Sequence, residues 1–269
     1  MPTQRNSTVP PQLRFLAPFV VDDLIRVGNA NDGGYVLPYS LAMRTDFLIS
    51  FGISEDWSFE IQLKKLNPQV QIHAYDHTIS KHISRSSFIH GLLKLPLGMI
   101  SLEDYLLRYR LFMSYRNFFR TDVRHFRERV NRERELPYDI TIEEIFQRVS
   151  SKQILLKMDI EGDEYKIIDR LPTSSVNLIG LVAEFHDTEA QRATFVDSVR
   201  ALQDQFEIVH LHGNNCSQIG RDNLPETLEI TFVRKAHSML HEKKACLPLS
   251  LIDAPNNPDK ADYKIRFPI

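Results

Sequence analysis

The sequence predicts an α/β fold: a doubly wound, mostly parallel sheet with an antiparallel final hairpin and a helical, Arg-rich insertion. Three observations carry that reading. Short apolar runs recur at Phe47–Phe51, Val70–Tyr75, Ile154–Met158, Leu178–Phe185, Ile208–Leu211 and Leu228–Val233. Phe47–Phe51, Ile154–Met158 and Leu178–Phe185 are nearly continuous rather than alternating, as strands covered by helices on both faces must be. Between them lie segments with apolar residues at helical spacing, and alternation of strand and helix implies right-handed crossovers and a parallel sheet.

The third observation is the stretch Leu155–Tyr165, LLKMDIEGDEY, where an apolar run ends abruptly in Asp159, Glu161 and Asp163 with Gly162 among them. In open α/β sheets ligands bind outside the carboxyl ends of the strands. Asp159 and Glu161 therefore stand where a cofactor would be held, although acids also favour helix N-termini for purely structural reasons.

Taken in order, residues 1–12 are polar and Pro-rich and read as a flexible tail, residues 13–235 as one domain, and residues 236–269 as a C-terminal arm with one short strand, YKIRF. Asp32, Gly33 and Gly34 precede an apolar run. This is a hairpin turn, or a place where backbone without side chains approaches a substrate closely, with Asp32 and Gly33 as its contacts. Phe47–Phe51 runs into Gly52, followed by Ser54, Glu55 and Asp56. The residues beyond, from Trp57 to Leu66, fit strand and helix periods equally. The preceding strand and the NPQ break after it favour helix, whose start would offer N–H groups to a ligand, with Gly52, Ser54 and Glu55 at the cofactor. Asp76 ends the next strand, 24 residues after Gly52. That is near the roughly 20 residues that separate a glycine turn from a ribose-binding acid in nucleoside-binding folds.

Ser101 with Asp104 and Thr141 with Glu144 are capping boxes that start helices. The stretch from Ser101 to Leu136 holds nine arginines against six acids. It reads as a solvated helical face, or as a lid whose guanidiniums, Arg116 and Arg120 among them, grip an anionic acceptor such as a phosphorylated or nucleotide-linked sugar. The tip of Leu178–Phe185 reads EFHD, with Glu184, His186 and Asp187, and is followed by a helix expected to be capped by Thr188 and a strand ending at His212. His186 is the first choice for a catalytic base and His212 the second, because an imidazole titrates near neutral pH. For either, a hydrogen-bonded structural role is the alternative. Hard oxygen ligands at neighbouring strand tips, Asp159, Glu184 and Asp187, suit Mg²⁺ as a candidate metal.

These residues together resemble the FkbM family of S-adenosylmethionine-dependent methyltransferases. The resemblance rests on four pieces in order: Asp32–Val36, Ser50–Glu60, Tyr75 with Asp76, and KMDIEGDE from Lys157 to Glu164. It covers about residues 26 to 235. It implies a Rossmann-like class I methyltransferase fold in which the first strand's turn and the second strand's acid hold S-adenosyl-L-methionine. It also implies O-methylation of a sugar, glycan precursor or secondary metabolite. The first motif departs from more typical members in having a single glycine and Ser50 in place of a strand-end Asp, and the Arg-rich stretch is unusually long. The alternatives are an NAD(P)-dependent oxidoreductase on a similar sheet, which lacks its GxGxxG here, and a non-catalytic cofactor-binding module.

Bulk properties narrow the partners. A chain of 269 residues can bury about three quarters of its unfolded surface around one core. A net charge of −2 gives no global attraction to nucleic acid or membrane. The expected partner is a small-molecule or glycan acceptor. Cys216 and Cys246 are the two cysteines, without CxxC spacing, so neither a disulfide framework nor a zinc cluster is expected and a reducing cytoplasm fits. The first residues carry no apolar run of signal-peptide type, and no window approaches the length of a membrane span.

Overall fold

The computed structural model describes residues 5–79, 99–173, 177–237 and 246–267. With strands numbered along the chain, seven form the central sheet: β4 (Phe47–Phe51), β5 (Gln71–Tyr75), β6 (Val123–Phe126), β9 (Ile154–Met158), β10 (Leu178–Phe185), β11 (Phe206–Gly213) and β12 (Leu228–Arg234). Their order across the sheet is β11-β12-β10-β9-β4-β5-β6. The pairs from β10 to β6 are all parallel, whereas β12 runs antiparallel to both β10 and β11. The chain thus winds outward from β4 to β6, returns to β9 beside β4, and winds the other way. Between β4 and β9 lies the topological switch point, where the loops leaving the two strands part and open a crevice. This is the Rossmann-like, doubly wound α/β architecture, closed by the expected antiparallel hairpin.

Alternation of side chains between two cores explains why the central strands β4, β9 and β10 read as mainly apolar runs. Leu48, Leu155 and Val182 face one core, with Phe59, Leu63 and Tyr35. Their neighbours Ile49, Leu156 and Leu181 face the other, with Phe195, Val199 and Leu202. The ambiguous stretch after Trp57 is a helix, Ser58–Leu66, burying Phe59 and Leu63. The helix Arg192–Gln203 buries Phe195, Val199 and Leu202 at the expected spacing. Its start differs from expectation. Thr188 does not cap it, because the Thr188 hydroxyl donates to the Pro225 carbonyl at 2.9 Å and the helix begins four residues later. Thr141 and Glu144 form the expected capping box of the helix Ile142–Gln147.

Two other stretches depart from the sequence reading. The Arg-rich segment is helical from Leu102 to Phe118, and Val123–Phe126 is then the edge strand of the sheet itself. It belongs to the crossover from β5 to β6 rather than standing over the sheet as an insertion. The N-terminal stretch expected to be loose is tied down from its fifth residue: β1 (Arg5–Thr8) pairs in parallel with β14 (Tyr263–Arg266) of the C-terminal arm, which also pairs with β13 (Cys246–Leu247). Outside the sheet, β2 (Leu24–Val27) and β3 (Tyr35–Pro38) form a hairpin, and β7 (Arg129–Val130) pairs with β8 (Asp139–Ile140). No described helix is long and apolar enough to cross a membrane.

Candidate functional site

Register brings the three expected strand tips together. Phe51 pairs with Tyr75 on one side and Met158 on the other, so Gly52, Asp76 and Asp159 are the next residues on three adjacent strands. They line one cavity of about 850 Å³ at the carboxyl edge of the sheet. Gly52 is required there by contact: its φ is +71°, and an added Cβ would lie 1.6 Å from the Asp159 carbonyl oxygen. Ser54, Glu161 and Asp187, in the loops after β4, β9 and β10, also hold positive φ without being glycine. Such strain gathers where a loop's shape serves a site.

Asp76 is expected to reach a ribose, yet its carboxylate is largely engaged by protein. One oxygen accepts from the backbone N–H of Ile53 and Ser54 at 3.0 and 2.8 Å, and the other accepts from the Thr78 N–H and hydroxyl at 2.7 and 2.6 Å. Burial works to raise its pKa, but the Thr78 and Ser54 hydrogen bonds prevail and hold it below the ordinary range. Its visible action is to fix the loop that follows Gly52. Ser54 and Glu55 line the cavity from that loop and are exposed.

Deeper in, Asp159 and Glu184 stand side by side, because Met158 pairs with Ala183 just before them. The Tyr35 hydroxyl lies 2.8 Å from Asp159 Oδ2 and 3.3 Å from Glu184 Oε2, and the Asn214 amide donates to Glu184 Oε1 at 2.8 Å. Burial raises the pKa of Asp159 against the pull of Lys157. Burial and the neighbouring Asp159 and Glu229 raise that of Glu184 well above the usual range. Lys157, buried in an apolar strand, donates to the Gly52 carbonyl at 2.8 Å and lies over the Tyr35 ring. Glu161 lines the cavity with its side chain in solvent.

The two histidines fare differently. His186 lines the cavity, with Nδ1 3.1 Å from Glu164 Oε1. Burial pulls its pKa down, but Glu164, Glu184 and Asp159 more than reverse this and push it up to about 9, so at neutral pH the imidazole is charged and a poor proton acceptor. His212 is not at the cavity. It is 1% exposed, wedged between Glu229 and Asp262 at 3.3 and 3.1 Å, a core residue that anchors the C-terminal arm.

Asp32 and Gly33 line the cavity from the β2–β3 turn, where an added Cβ on Gly33 would lie 2.1 Å from Asp56 Oδ2. The turn is therefore both a hairpin turn and a wall of the site. Arg116 and Arg120 do not line it. The helix that carries them leads into the start of β6, so its end lies at the amino edge of the sheet; Arg116 covers the Phe112 ring and Arg120 donates to the Asn117 side chain. Asp187 is exposed and does not line the cavity, and His186 faces Glu184 in its place. Tyr35, Lys157, Glu164 and Asn214 escaped the sequence reading. The signal for Lys157 was a charge inside an otherwise apolar strand, which requires a partner and a reason.

Among the described lining residues nine carry carboxyl groups, of which Glu128 and Asp163 pair with Arg148 and Lys166, against Lys157, Arg129 and the charged His186. The lysine is committed to the Gly52 carbonyl and Arg129 to Asp139 at 2.7 Å. The cavity is an acidic hollow, suited to positively charged ligands.

The sequence matches no protein-family model and no curated protein, so the FkbM resemblance rests on its four motif pieces. Similar solved structures include a fibrillarin/Nop5p complex at 13% identity, covering 71% of this chain and 73% of that one with a TM-score of 0.36. A precorrin-6y C5,15-methyltransferase from Geobacter metallireducens is 13% identical, covering 73% and 86% with a TM-score of 0.36. A predicted O-methyltransferase from Agrobacterium tumefaciens is 8% identical, covering 87% and 86% with a TM-score of 0.33. At these values the likenesses carry no weight for the reaction, and the fold stands on the strand order given above.

Proposed function

We propose that this chain is an S-adenosylmethionine-dependent methyltransferase, directed at a hydroxyl of a sugar, glycan precursor or secondary metabolite in the cytoplasm. The observation that carries it is the acidic cavity at the switch point of the sheet. S-adenosylmethionine presents a sulfonium and an ammonium, charges that a carboxylate-rich lining attracts. A nicotinamide dinucleotide presents a diphosphate, for which the described lining offers no lysine or arginine free of a protein partner. The glycine contact at Gly52 and the loop fixed by Asp76 make a cradle of the kind a nucleoside needs, so the residues fit the cofactor.

When bound, the cofactor supplies an already activated methyl group. The protein's share is alignment. Asp159 and Glu161 would hold the cofactor's ammonium, a charge-assisted hydrogen bond of this kind being worth about 1.5 to 3 kcal/mol. Tyr35 and Asn214 hold the carboxylates of Asp159 and Glu184 in place. His186, charged and bonded to Glu164, positions rather than accepts a proton at neutral pH. The acceptor is neutral or cationic rather than anionic, and nucleic acid is disfavoured, since a phosphate backbone would meet the same carboxylates.

Calorimetric titration with S-adenosylhomocysteine and, separately, NADH tests the reading. Binding of the first and not the second supports it; no binding of S-adenosylhomocysteine at millimolar ligand sinks it.

A further inference from the structure

We propose that Asp159, Glu184 and His186 form a divalent-cation site, with Mn²⁺ or Mg²⁺ as the fitting ions. One ligand atom from each lies within 4.8 Å of the others. An octahedral ion with bonds of about 2.1 Å spaces its ligands about 3 to 4 Å apart, so modest contraction around an ion completes the set. His186 Nε2 is 3.6 Å from Glu161 Oε2 and 3.9 Å from Glu184 Oε1, beyond hydrogen-bond reach but within the span an ion bridges.

The second observation lies behind the imidazole. Glu164 is fully buried and its Oε1 faces His186 Nδ1 while accepting from the backbone N–H of Ile160 and Gly162 at 3.0 and 3.1 Å. Its Oε2 is buried with no hydrogen-bond partner among the described residues. A carboxylate on one ring nitrogen is the arrangement that turns the other toward a metal. Nε2 is then the nitrogen left for the ion, its proton passing to solvent on binding. Tyr35 and Asn214 give Asp159 and Glu184 only neutral donors, and Glu229 pairs with Glu184 across β12, adding a further negative charge. His186 and Lys157 offset part of this negative charge, and a divalent cation would bind the two carboxylates directly. All three residues line the cavity, so an ion held there would be open to an oxygen of the acceptor. That last role rests on the methyltransferase reading; the site itself does not.

The test is Mn²⁺ titration of the full chain, without cofactor or acceptor, followed by pulsed electron paramagnetic resonance of the bound ion. One tightly bound ion is expected, with a nitrogen coupling that His186→Gln abolishes, at least tenfold weaker binding in Asp159→Asn and Glu184→Gln, and about 10- to 100-fold weaker binding in Glu164→Gln. No Mn²⁺ binding at millimolar metal, binding unchanged by Asp159→Asn, or a wild-type signal without nitrogen coupling overturns the proposal. The last of these is read on the native chain and does not depend on any variant folding. S-adenosylhomocysteine binding with no Mn²⁺ binding removes the metal and leaves the methyltransferase reading; the reverse result does the opposite.

Discussion

The Asp76 carboxylate accepts the backbone N–H of Ser54 at 2.8 Å, tying the tip of β5 to the loop that leaves β4. Ser54 holds a left-handed φ of +41°, so the bond secures a backbone shape that costs roughly 1 kcal/mol or more to adopt. Asp76→Ala is expected to lower stability by about 1 to 3 kcal/mol, as loss of a buried charged acceptor does. It should also weaken S-adenosylhomocysteine binding through the loosened loop. Urea denaturation and calorimetry read both; unchanged values in both remove Asp76 from the site.

Gly52→Ala meets backbone, not a yielding side chain: the new Cβ would stand 1.6 Å from the Asp159 carbonyl. A loss of at least about 2 kcal/mol is expected, combining a strained φ with forced separation of β4 from β9. A melting temperature within a degree of wild type would contradict this contact.

His212 gives a pH signature distant from the cavity. Burial lowers its pKa, but Asp262 and Glu229 raise it to about 10, above the ordinary value of 6.5. Because the folded state binds the proton more tightly, the stability it adds is full below about pH 6.5 and is lost as pH rises through about 10. The stability gap between wild type and His212→Gln, measured by urea denaturation, should therefore be widest near pH 6 and shrink toward pH 10.5. A gap that widens with pH contradicts the assignment.

Arg116→Gln and Arg120→Gln should each change stability by no more than about 0.5 kcal/mol and leave S-adenosylhomocysteine affinity unaltered, since both are exposed at the other edge of the sheet. A tenfold loss of affinity in either would return them to the site.

The sheet was legible because buried parallel strands leave a local trace: Phe47–Phe51, Ile154–Met158 and Leu178–Phe185 are apolar runs broken by a single polar residue each, and each is a fully buried strand. The tips at Gly52 and Asp159 were legible for the same reason, since they directly follow such runs, whereas Asp76 follows the alternating VQIHAY and was found by its spacing from Gly52. Tyr35 and Asn214 left no such trace, because they reach Asp159 and Glu184 through pairing across 124 and 30 residues, which no local pattern records. The arginines misled for a related reason. Charge density shows in a sequence, but which edge of the sheet a crossover helix returns to does not.

Hydrogen–deuterium exchange of the full chain with and without S-adenosylhomocysteine tests the convergence of the three strand tips most directly. Protection should appear together in residues 52–56, 76–78 and 159–163 and not around Arg116 and Arg120. Protection confined to one of these loops, or none at saturating ligand, would contradict a single nucleoside site at the switch point.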